Sequence, residues 1–190
     1  MFDGTGALSD FFVSYFSKFA EAVATVAPDD LLIATDVVGG VIGTGRKVIV
    51  VGNGGSAAVA SHVAVDLTKA AGIRAVTFHD PGLITCLAND YEYERWVAEA
   101  IKSYADDGDV AILISSSGCS ENILNGAIAA SELGLSVVTF SGFEATNPLR
   151  SMGEVSFWVD SSEYNVVETT HQIWLLAIVD FLVNRSVVPA

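Results

Sequence analysis

The sequence predicts an α/β domain in which helices cover both faces of a five-stranded parallel sheet. Five short apolar runs rich in β-branched residues are separated by helical patterns, which is the alternation typical of a parallel sheet. A chain of 190 residues is long enough for one substantial core and short for two. We therefore expect one domain over residues 1–190, a three-layer αβα sandwich preceded by two helices.

Two helices are predicted before the first strand. From Leu8 to Ala27, apolar residues recur at helical spacing and form a wide aromatic face. Pro28 then begins a second helix that extends to Val41, and acidic residues in its first turn suit the helix dipole. We expect residues 1–45 to form this helical pair and residues 46–190 to form the α/β core.

The remaining elements alternate along the chain. The predicted strands are Lys47–Val51, Ala75–Phe78, Val110–Ile114, Val137–Phe140 and Val155–Val159. The predicted helices are Ser56–Ala70, Tyr91–Tyr104, Glu121–Leu133, a short one near Asn147–Ser151, and Asn165–Asn184. Ligands of such sheets bind beyond the carboxyl ends of the strands, so the loops after the strands are the candidate sites.

Composition restricts the classes of partner. A net charge of −14 disfavours nucleic acid, whose phosphate backbone needs clustered Lys and Arg. A small phosphorylated metabolite is compatible with this charge, because backbone N–H groups at a helix N-terminus hold phosphate without basic side chains. Hydrophobic residues make up 51% of the chain, which favours an oligomer.

The cysteines, the N-terminus and the lengths of the apolar stretches predict where the protein is located and whether it contacts a membrane. Cys86 and Cys119 lack a metal-finger or C-x-x-C spacing, which fits a reducing cytoplasm. The N-terminus has no signal-peptide pattern, and the longest apolar stretches are shorter than a membrane span. We expect a cytoplasmic protein with no membrane partner.

Two loops carry the candidate chemistry. Gly52–Ser56 leaves a strand and enters a helix, and its three glycines allow close approach of a ligand, although such a turn is weak evidence alone. It is neither a G-x-G-x-x-G fingerprint nor a P-loop, which disfavours a nucleotide-linked dehydrogenase. Ser115–Ser120 contains four hydroxyls where a helix begins, and helix capping requires only one of them. This loop predicts an uncharged anion receptor.

These segments resemble the SIS (sugar isomerase) family. Gly52–Asp66 (GNGGSAAVASHVAVD) and Ile114–Asn122 (ISSSGCSEN) are similar to the two signature segments of its phosphoheptose isomerase group, and Leu87–Tyr91 resembles the group's linker after the second strand. The resemblance covers nearly the whole chain. It implies a flavodoxin-like fold and a homotetramer with active sites at subunit interfaces.

The resemblance also implies roles for individual residues. Phosphate would be bound by Ser115, Ser116, Ser117 and Ser120. The sugar chain would be bound by Asn53, Gly54, Ser56 and Asp90. The substrate would be a phosphorylated aldose or ketose, with sedoheptulose 7-phosphate as the family default.

Aldose–ketose isomerisation moves a proton through an enediol(ate), which requires a base and an acid. His62 and Asp66 are spaced i, i+4 on one predicted helix, at positions where the resembled isomerases have a His and a catalytic Glu. Asp66 is one methylene shorter than that Glu. On the closing helix Glu168 and His171 are further candidates, either as catalytic groups or as a hydrogen-bonded structural pair.

The closing helix departs from the family pattern. Val167 stands where these isomerases have a Gln, and Leu175 stands where they have a second, catalytic His. This favours the alternative of a non-catalytic phosphosugar-binding or scaffold protein, whereas the retained His62 and Asp66 favour an enzyme. No cofactor is required by the expected chemistry. Some of these isomerases hold zinc, for which His62, Asp66, Glu168 and His171 are the candidate ligands here.

Overall fold

The computed structural model describes residues 5–187, with side chains from residue 8 to residue 185. Its α-helices are α1 (Thr5–Val23), α2 (Pro28–Gly39), α3 (Gly55–Lys69), α4 (Pro81–Tyr91), α5 (Trp96–Tyr104), α6 (Glu121–Glu132) and α7 (Tyr164–Val187). The strands are β1 (Val48–Gly52), β2 (Ala75–Val76), β3 (Val110–Ser115), β4 (Ser136–Ser141) and β5 (Val155–Trp158), with a 3₁₀ turn at Pro148–Ser151.

The five strands form one sheet in the order β2-β1-β3-β4-β5, and every neighbouring pair is parallel. From β1 the chain passes through α3 to β2 on one side. It then crosses back through α4 and α5 to β3 on the other side of β1. The topology therefore switches direction between β1 and β3, and a crevice is expected outside the carboxyl ends of these two strands.

Alternate residues of the central strands enter two separate cores. Val48, Val50 and Ile112 pack on the face covered by α2, α3 and α7. Ile49, Val51 and Leu113 pack on the opposite face, which α5 and α6 cover. Because both faces are covered, the central strands read as continuous apolar runs. The predicted three-layer αβα sandwich with a five-stranded parallel sheet is confirmed.

One predicted segment is wrong. Leu87–Tyr91 was expected to be a linker and the next helix to begin at Tyr91, but residues 81–91 form α4 and the next helix begins at Trp96. Asp80 caps α4 by accepting a hydrogen bond from the Leu83 N–H at 3.0 Å, and Pro81 suits the first turn. Glu92, at φ 71° and ψ 153°, then ends the helix.

Helix α7 is longer than the sequence pattern indicated. Its segment Tyr164–Arg185 is 22 residues long with a mean hydropathy of 1.4, so by length and composition it could span a membrane. The expectation that every apolar stretch is too short for a span was therefore wrong. Half of this segment is buried, and α7 packs on α1, α2 and α3. This is the environment of a central helix in a folded domain.

Candidate functional site

The first or glycine loop (Gly52–Ser56) and the second or serine loop (Ser115–Ser120) begin side by side at the ends of two neighbouring strands. Gly52, the last residue of β1, is in register with Ile114 of β3, so both loops leave parallel neighbours at the same edge. A cavity of about 260 Å³ lies at this point. Its lining consists of Asn53, Gly54, Gly55, Ser56, Ile114, Ser115, Ser116, Ser117, Ser120, Tyr164 and Glu168.

Glycines allow the first loop to approach α7 closely. Gly54, at φ 55° and ψ −120°, adopts a left-handed conformation that favours glycine and precedes α3. A Cβ on Gly55 would lie 2.0 Å from Oε2 of Glu168, so any side chain there would displace the carboxylate. Ser56 is buried in the first turn of α3. The first loop thus brings the N-terminus of α3 and the Glu168 carboxylate to one cavity wall.

The hydroxyls of the second loop are not used to cap α6. Ser120 is the N-cap residue, but its side chain makes no capping hydrogen bond, and its Oγ accepts from Ser115 Oγ at 3.0 Å. Ser117 Oγ accepts from the Cys119 N–H at 3.2 Å, and Ser116 Oγ lies 3.4 Å from Glu168 Oε1. Four serines therefore meet at the N-terminus of a helix, whose dipole attracts anions.

A buried asparagine fixes the shape of the second loop. Gly118 has φ 65°, and a Cβ there would lie 1.9 Å from Oδ1 of Asn147. Asn147 is buried, and its amide nitrogen donates to the carbonyls of Gly142 and Glu144 at 3.1 and 2.8 Å. The serine loop is therefore held against the segment that follows β4.

A reciprocal amide pair joins the two loops. Asn53 Nδ2 donates to Asn122 Oδ1 at 3.0 Å, and Asn122 Nδ2 donates to Asn53 Oδ1 at 2.9 Å. Tyr93 Oη also donates to Asn53 Oδ1, at 3.3 Å. Asn122 is buried in the first turn of α6, so the pair fixes the glycine loop relative to the serine loop.

A histidine supports the first loop from the side of β2. Nε2 of His79 lies 3.1 Å from the carbonyl oxygen of Gly52, and Nδ1 lies 3.4 Å from Ser61 Oγ. Burial lowers the pKa of His79, although the Gly52 hydrogen bond acts in the opposite direction. A neutral ring is therefore favoured, and its Nε2–H donates to the end of β1.

The candidate base on α3 lies beyond the cavity. His62 Nε2 is 3.2 Å from Asp66 Oδ2, and the two side chains are partly exposed at 47% and 34%. Gln172 of α7, which the sequence did not single out, places Nε2 at 3.0 Å from His62 Nδ1. The predicted i, i+4 contact between His62 and Asp66 is thus present in the structure, and Gln172 forms a hydrogen bond with the same histidine.

Glu168 and His171 do not form the pair that the sequence suggested. Glu168 lines the cavity, whereas His171 is fully buried between Phe140 and Trp174. His171 Nε2 donates to the Ser141 carbonyl at 3.0 Å, and Nδ1 has no hydrogen-bond partner among the described residues. Burial lowers the pKa of His171 to about 4. The hypothesis that His171 is an acid/base partner is therefore wrong for this arrangement.

The four candidate zinc ligands are not brought together. His62 and Asp66 contact each other, Glu168 faces the serine loop, and both nitrogens of His171 lie in the core. Over residues 8–185, no group of three or more His, Cys, Asp or Glu side chains could hold a metal ion. The proposed set His62, Asp66, Glu168 and His171 does not fit zinc in this chain.

One predicted sugar contact also lies outside the cavity. Asp90 is exposed near the end of α4, where its carboxylate accepts a hydrogen bond from Asn89 Nδ2 at 2.9 Å. It does not line the cavity. Asn53, Gly54 and Ser56 do, together with the four serines Ser115, Ser116, Ser117 and Ser120.

Comparison with known proteins agrees with this geometry. The SIS domain family matches residues 12–142. A phosphoheptose isomerase of Bradyrhizobium sp. (strain ORS 278) is 34% identical over 163 residues, which cover 80% of each chain. A phosphoheptose isomerase of Geotalea uraniireducens (strain Rf4) is 30% identical over 174 residues, 88% of this chain and 87% of the relative.

The chain belongs to the SIS-domain family. Within it, these relatives place the chain in the phosphoheptose isomerase-like group. The solved structure of a phosphoheptose isomerase from Francisella tularensis shares the fold, with a TM-score of 0.82, 24% identity, and coverage of 92% of this chain and 97% of the other.

Several residues of this SIS domain at or near the site were not identified from the sequence. Asn122 and Asn147 organise the loops, Tyr164 lines the cavity, and Gln172 contacts His62. Two signals were available. Asn122 is the second residue after the serine loop, and Gln172 is the only glutamine in the chain.

Proposed function

We propose that this SIS domain is a phosphosugar isomerase that interconverts an aldose and a ketose through an enediol(ate). The observation that carries the proposal is the convergence of the four-serine loop and the glycine loop on one cavity beside a carboxylate. The cavity of about 260 Å³ is slightly smaller than the usual range of about 300–1,000 Å³ for ligand pockets, which suits a small metabolite. The phosphoheptose isomerase relatives support the same reaction class.

The phosphate is assigned to the serine loop. Ser115, Ser116, Ser117 and Ser120 lie where the dipole of α6 is positive, and Ser120 leaves the first turn without a side-chain cap. Among the residues that the structure describes, no Lys or Arg lines the cavity, so backbone N–H groups and hydroxyls supply the binding within this chain. The phosphate end therefore lies at the serines, and the sugar chain extends toward Asn53, Gly54 and Ser56.

Proton transfer is assigned to the carboxylates that flank the sugar chain. A helical rise of 1.5 Å per residue places His62 about 9 Å and Asp66 about 15 Å along α3 from Ser56. A sugar chain bound by its phosphate and extended along α3 would approach His62 first. Asp66, hydrogen-bonded to His62, is the proposed base, with His62 as its partner. Glu168, inside the cavity, is the alternative base.

A homotetramer would complete this site. His62 and Asp66 are partly exposed in the single chain, and proton abstraction is favoured when water is excluded. A subunit packed over α3 would bury the pair and could supply the contacts that Asp90 does not make within its own chain. We place the enzyme in the cytoplasm, where sugar phosphates are available.

A binding or scaffold protein is the second candidate, and one observation favours it. Val167 and Leu175 of α7 replace the family's Gln and catalytic His. Both side chains are fully buried in the core on which α7 packs. They provide no polar group at the site. A protein with an intact serine loop and no catalytic His on α7 would bind phosphosugars without converting them.

The proposal is tested with a panel of five- to seven-carbon sugar phosphates in buffered D₂O, followed by NMR. An isomerase gives the paired aldose or ketose and incorporates deuterium beside the carbonyl. Binding of a sugar phosphate with neither product nor deuterium would establish the second candidate. Absence of binding by every compound in the panel would exclude both.

A further inference from the structure

His62 is contacted by two helices at once. On α3, Asp66 Oδ2 lies 3.2 Å from Nε2 of the ring, and on α7, Gln172 Nε2 lies 3.0 Å from Nδ1. The two contacts are on different ring nitrogens, so together they restrict both the position and the rotation of a side chain that is otherwise 47% exposed. A histidine with this exposure and a single partner would retain rotamer freedom.

The donor and acceptor groups of Gln172, His62 and Asp66 determine which residue donates each hydrogen bond. A carboxylate only accepts, so His62 Nε2 carries the proton that is donated to Asp66. In the neutral ring Nδ1 then has a lone pair, and it accepts from the Gln172 amide N–H. The chain of donors runs from Gln172 to His62 to Asp66.

The position of Gln172 on α7 links this chain to the cavity. Tyr164, Glu168 and Gln172 are spaced four residues apart and lie along one face of the helix. The first two line the cavity, and the third contacts His62. Ser56, in the first turn of α3, lines the cavity as well, and His62 lies further along the same helix. Contacts between α3 and α7 thus continue from the cavity to the His62–Asp66 pair.

We infer that Gln172 is a positioning residue that orients the His62 ring, with Nε2–H directed at Asp66. The effect on catalysis rests on the proposed isomerase function, whereas the orientation of the ring does not. Gln172 acts through His62 and does not line the cavity. It takes up on α7 a polar role that Val167 and Leu175, both in the core, cannot fulfil.

The test uses ¹⁵N NMR of histidine-labelled full-length protein at pH 8, where an ordinary imidazole is neutral. The chain has three histidines, so His79 and His171 serve as internal references. Gln172→Met preserves length and removes the donor, and Gln172→Glu preserves shape and replaces the donor with an acceptor. Thr169→Met, at an exposed position of α7, is the matched control.

In the wild type we expect protonated Nε2 and hydrogen-bonded, unprotonated Nδ1 at His62. Gln172→Met should move the Nδ1 resonance to that of an imine nitrogen that accepts no hydrogen bond, and Gln172→Glu, which offers Nδ1 no N–H donor, should move the resonance away from its wild-type position as well. Deuterium incorporation into the substrate should fall on the order of 10-fold in Gln172→Met, the factor for losing one hydrogen bond, with phosphosugar affinity unchanged. The Thr169→Met control should match the wild type in all three measurements.

An unchanged Nδ1 resonance in Gln172→Met would overturn the inference, as would a changed resonance with full deuterium incorporation. If the wild type incorporates no deuterium from any sugar phosphate, the isomerase function fails. The Nδ1 resonance still decides whether Gln172 orients His62. The two failures are therefore distinguishable.

Discussion

At the residue scale, burial determines which titratable groups can take part in chemistry. His62, Asp66 and Glu168 have polar partners and some access to solvent, whereas His171 is enclosed by aromatic rings in the core. The sequence places His171 only three residues after Glu168, but Glu168 lines the cavity, whereas the His171 ring is buried in the core beside Phe140 and Trp174. Proximity in sequence therefore gave the wrong acid/base pair.

The buried His171 should make the fold sensitive to acid. Its pKa is lowered to about 4, so between pH 6.5 and pH 4 the unfolded chain binds a proton that the folded chain does not. Stability therefore falls as the pH is lowered through this window, by about 2 kcal/mol between pH 7 and pH 5. Urea unfolding at pH 7 and at pH 5 measures this difference in the free energy of unfolding.

His171→Gln retains an N–H donor for the Ser141 carbonyl and does not titrate. It should reduce the stability difference between pH 7 and pH 5 by about 2 kcal/mol relative to wild type. His79, whose pKa is also lowered, contributes in the same direction in both proteins and cancels in this comparison. An identical pH dependence in the two proteins would show that His171 is not the acid-sensitive group.

The serine loop gives a second prediction for individual residues. Replacing Ser116 and Ser120 by Ala removes two of the four hydroxyls that line the cavity. Each hydrogen bond to a charged phosphate contributes about 1.5–3 kcal/mol, so sugar-phosphate affinity should fall at least 100-fold. Calorimetry measures the affinity, and unfolding should be little changed because Ser120 makes no side-chain cap.

Ser131→Ala, at an exposed position near the other end of α6, is the matched control for this double variant. It should bind sugar phosphates as the wild type does. If the double variant retains the affinity of Ser131→Ala, the phosphate is bound somewhere other than the serine loop.

At the scale of elements, the strands were predictable because each apolar run ends where turn residues begin. Helix α4 was missed although Asp80 and Pro81 are ordinary helix-start signals, because residues 87–91 were interpreted through the family's linker. Site contacts such as Asn53–Asn122 and His62–Gln172 join residues 69 and 110 positions apart. No local pattern specifies such contacts, since they depend on the packing of whole helices.

A buried ion pair lies at the amino ends of β1 and β3, opposite the cavity, where Lys47 immediately precedes β1 and Asp109 immediately precedes β3. Lys47 Nζ lies 2.6 Å from Asp109 Oδ2 and 2.7 Å from Asp106 Oδ2, and the Asp109 side chain is fully buried. Burial lowers the pKa of the Lys47 ammonium, but the hydrogen bonds and charges of Asp106 and Asp109 outweigh it and raise the pKa. For Asp109, burial acts to raise the pKa, but backbone N–H groups and Lys47 lower it.

Lys47→Met should leave the Asp109 charge buried without its cation. Removing one partner of a buried pair costs about 3–5 kcal/mol, and the remaining backbone hydrogen bonds to Asp109 favour the lower value. Denaturant unfolding measures the loss. Lys102→Met, in an exposed pair with Glu99, should cost less than about 1 kcal/mol. Equal effects of the two substitutions would contradict this account.

At the scale of the whole molecule, α1 presents an apolar face that its own chain does not cover. Among its described large hydrophobic residues, five are more than half exposed, namely Leu8, Phe11, Phe12, Val13 and Phe16. An exposed patch of this kind is typical of an interface. The aromatic face was predictable from helical spacing, but its exposure was not, because exposure depends on where α7 packs.

We expect this face to hold a homotetramer together. Light scattering should report about four times the chain mass of 19.9 kDa. Replacing Phe12 and Phe16 by Ser should reduce the mass to that of a smaller species, whereas Leu133→Ser, at an exposed position outside α1, should not. A wild-type monomer at micromolar concentration would refute the tetramer and the interface site.

The most direct test of the proposed reaction is deuterium incorporation from D₂O into a bound sugar phosphate by wild type, Asp66→Asn and Glu168→Gln. We predict that the wild type incorporates deuterium beside the carbonyl. Asp66→Asn should be slower by on the order of 100-fold, with sugar-phosphate affinity preserved, because the positioned base is lost. Full incorporation in Asp66→Asn would contradict the assignment of the base, and no incorporation by the wild type with any sugar phosphate that it binds would contradict the isomerase itself.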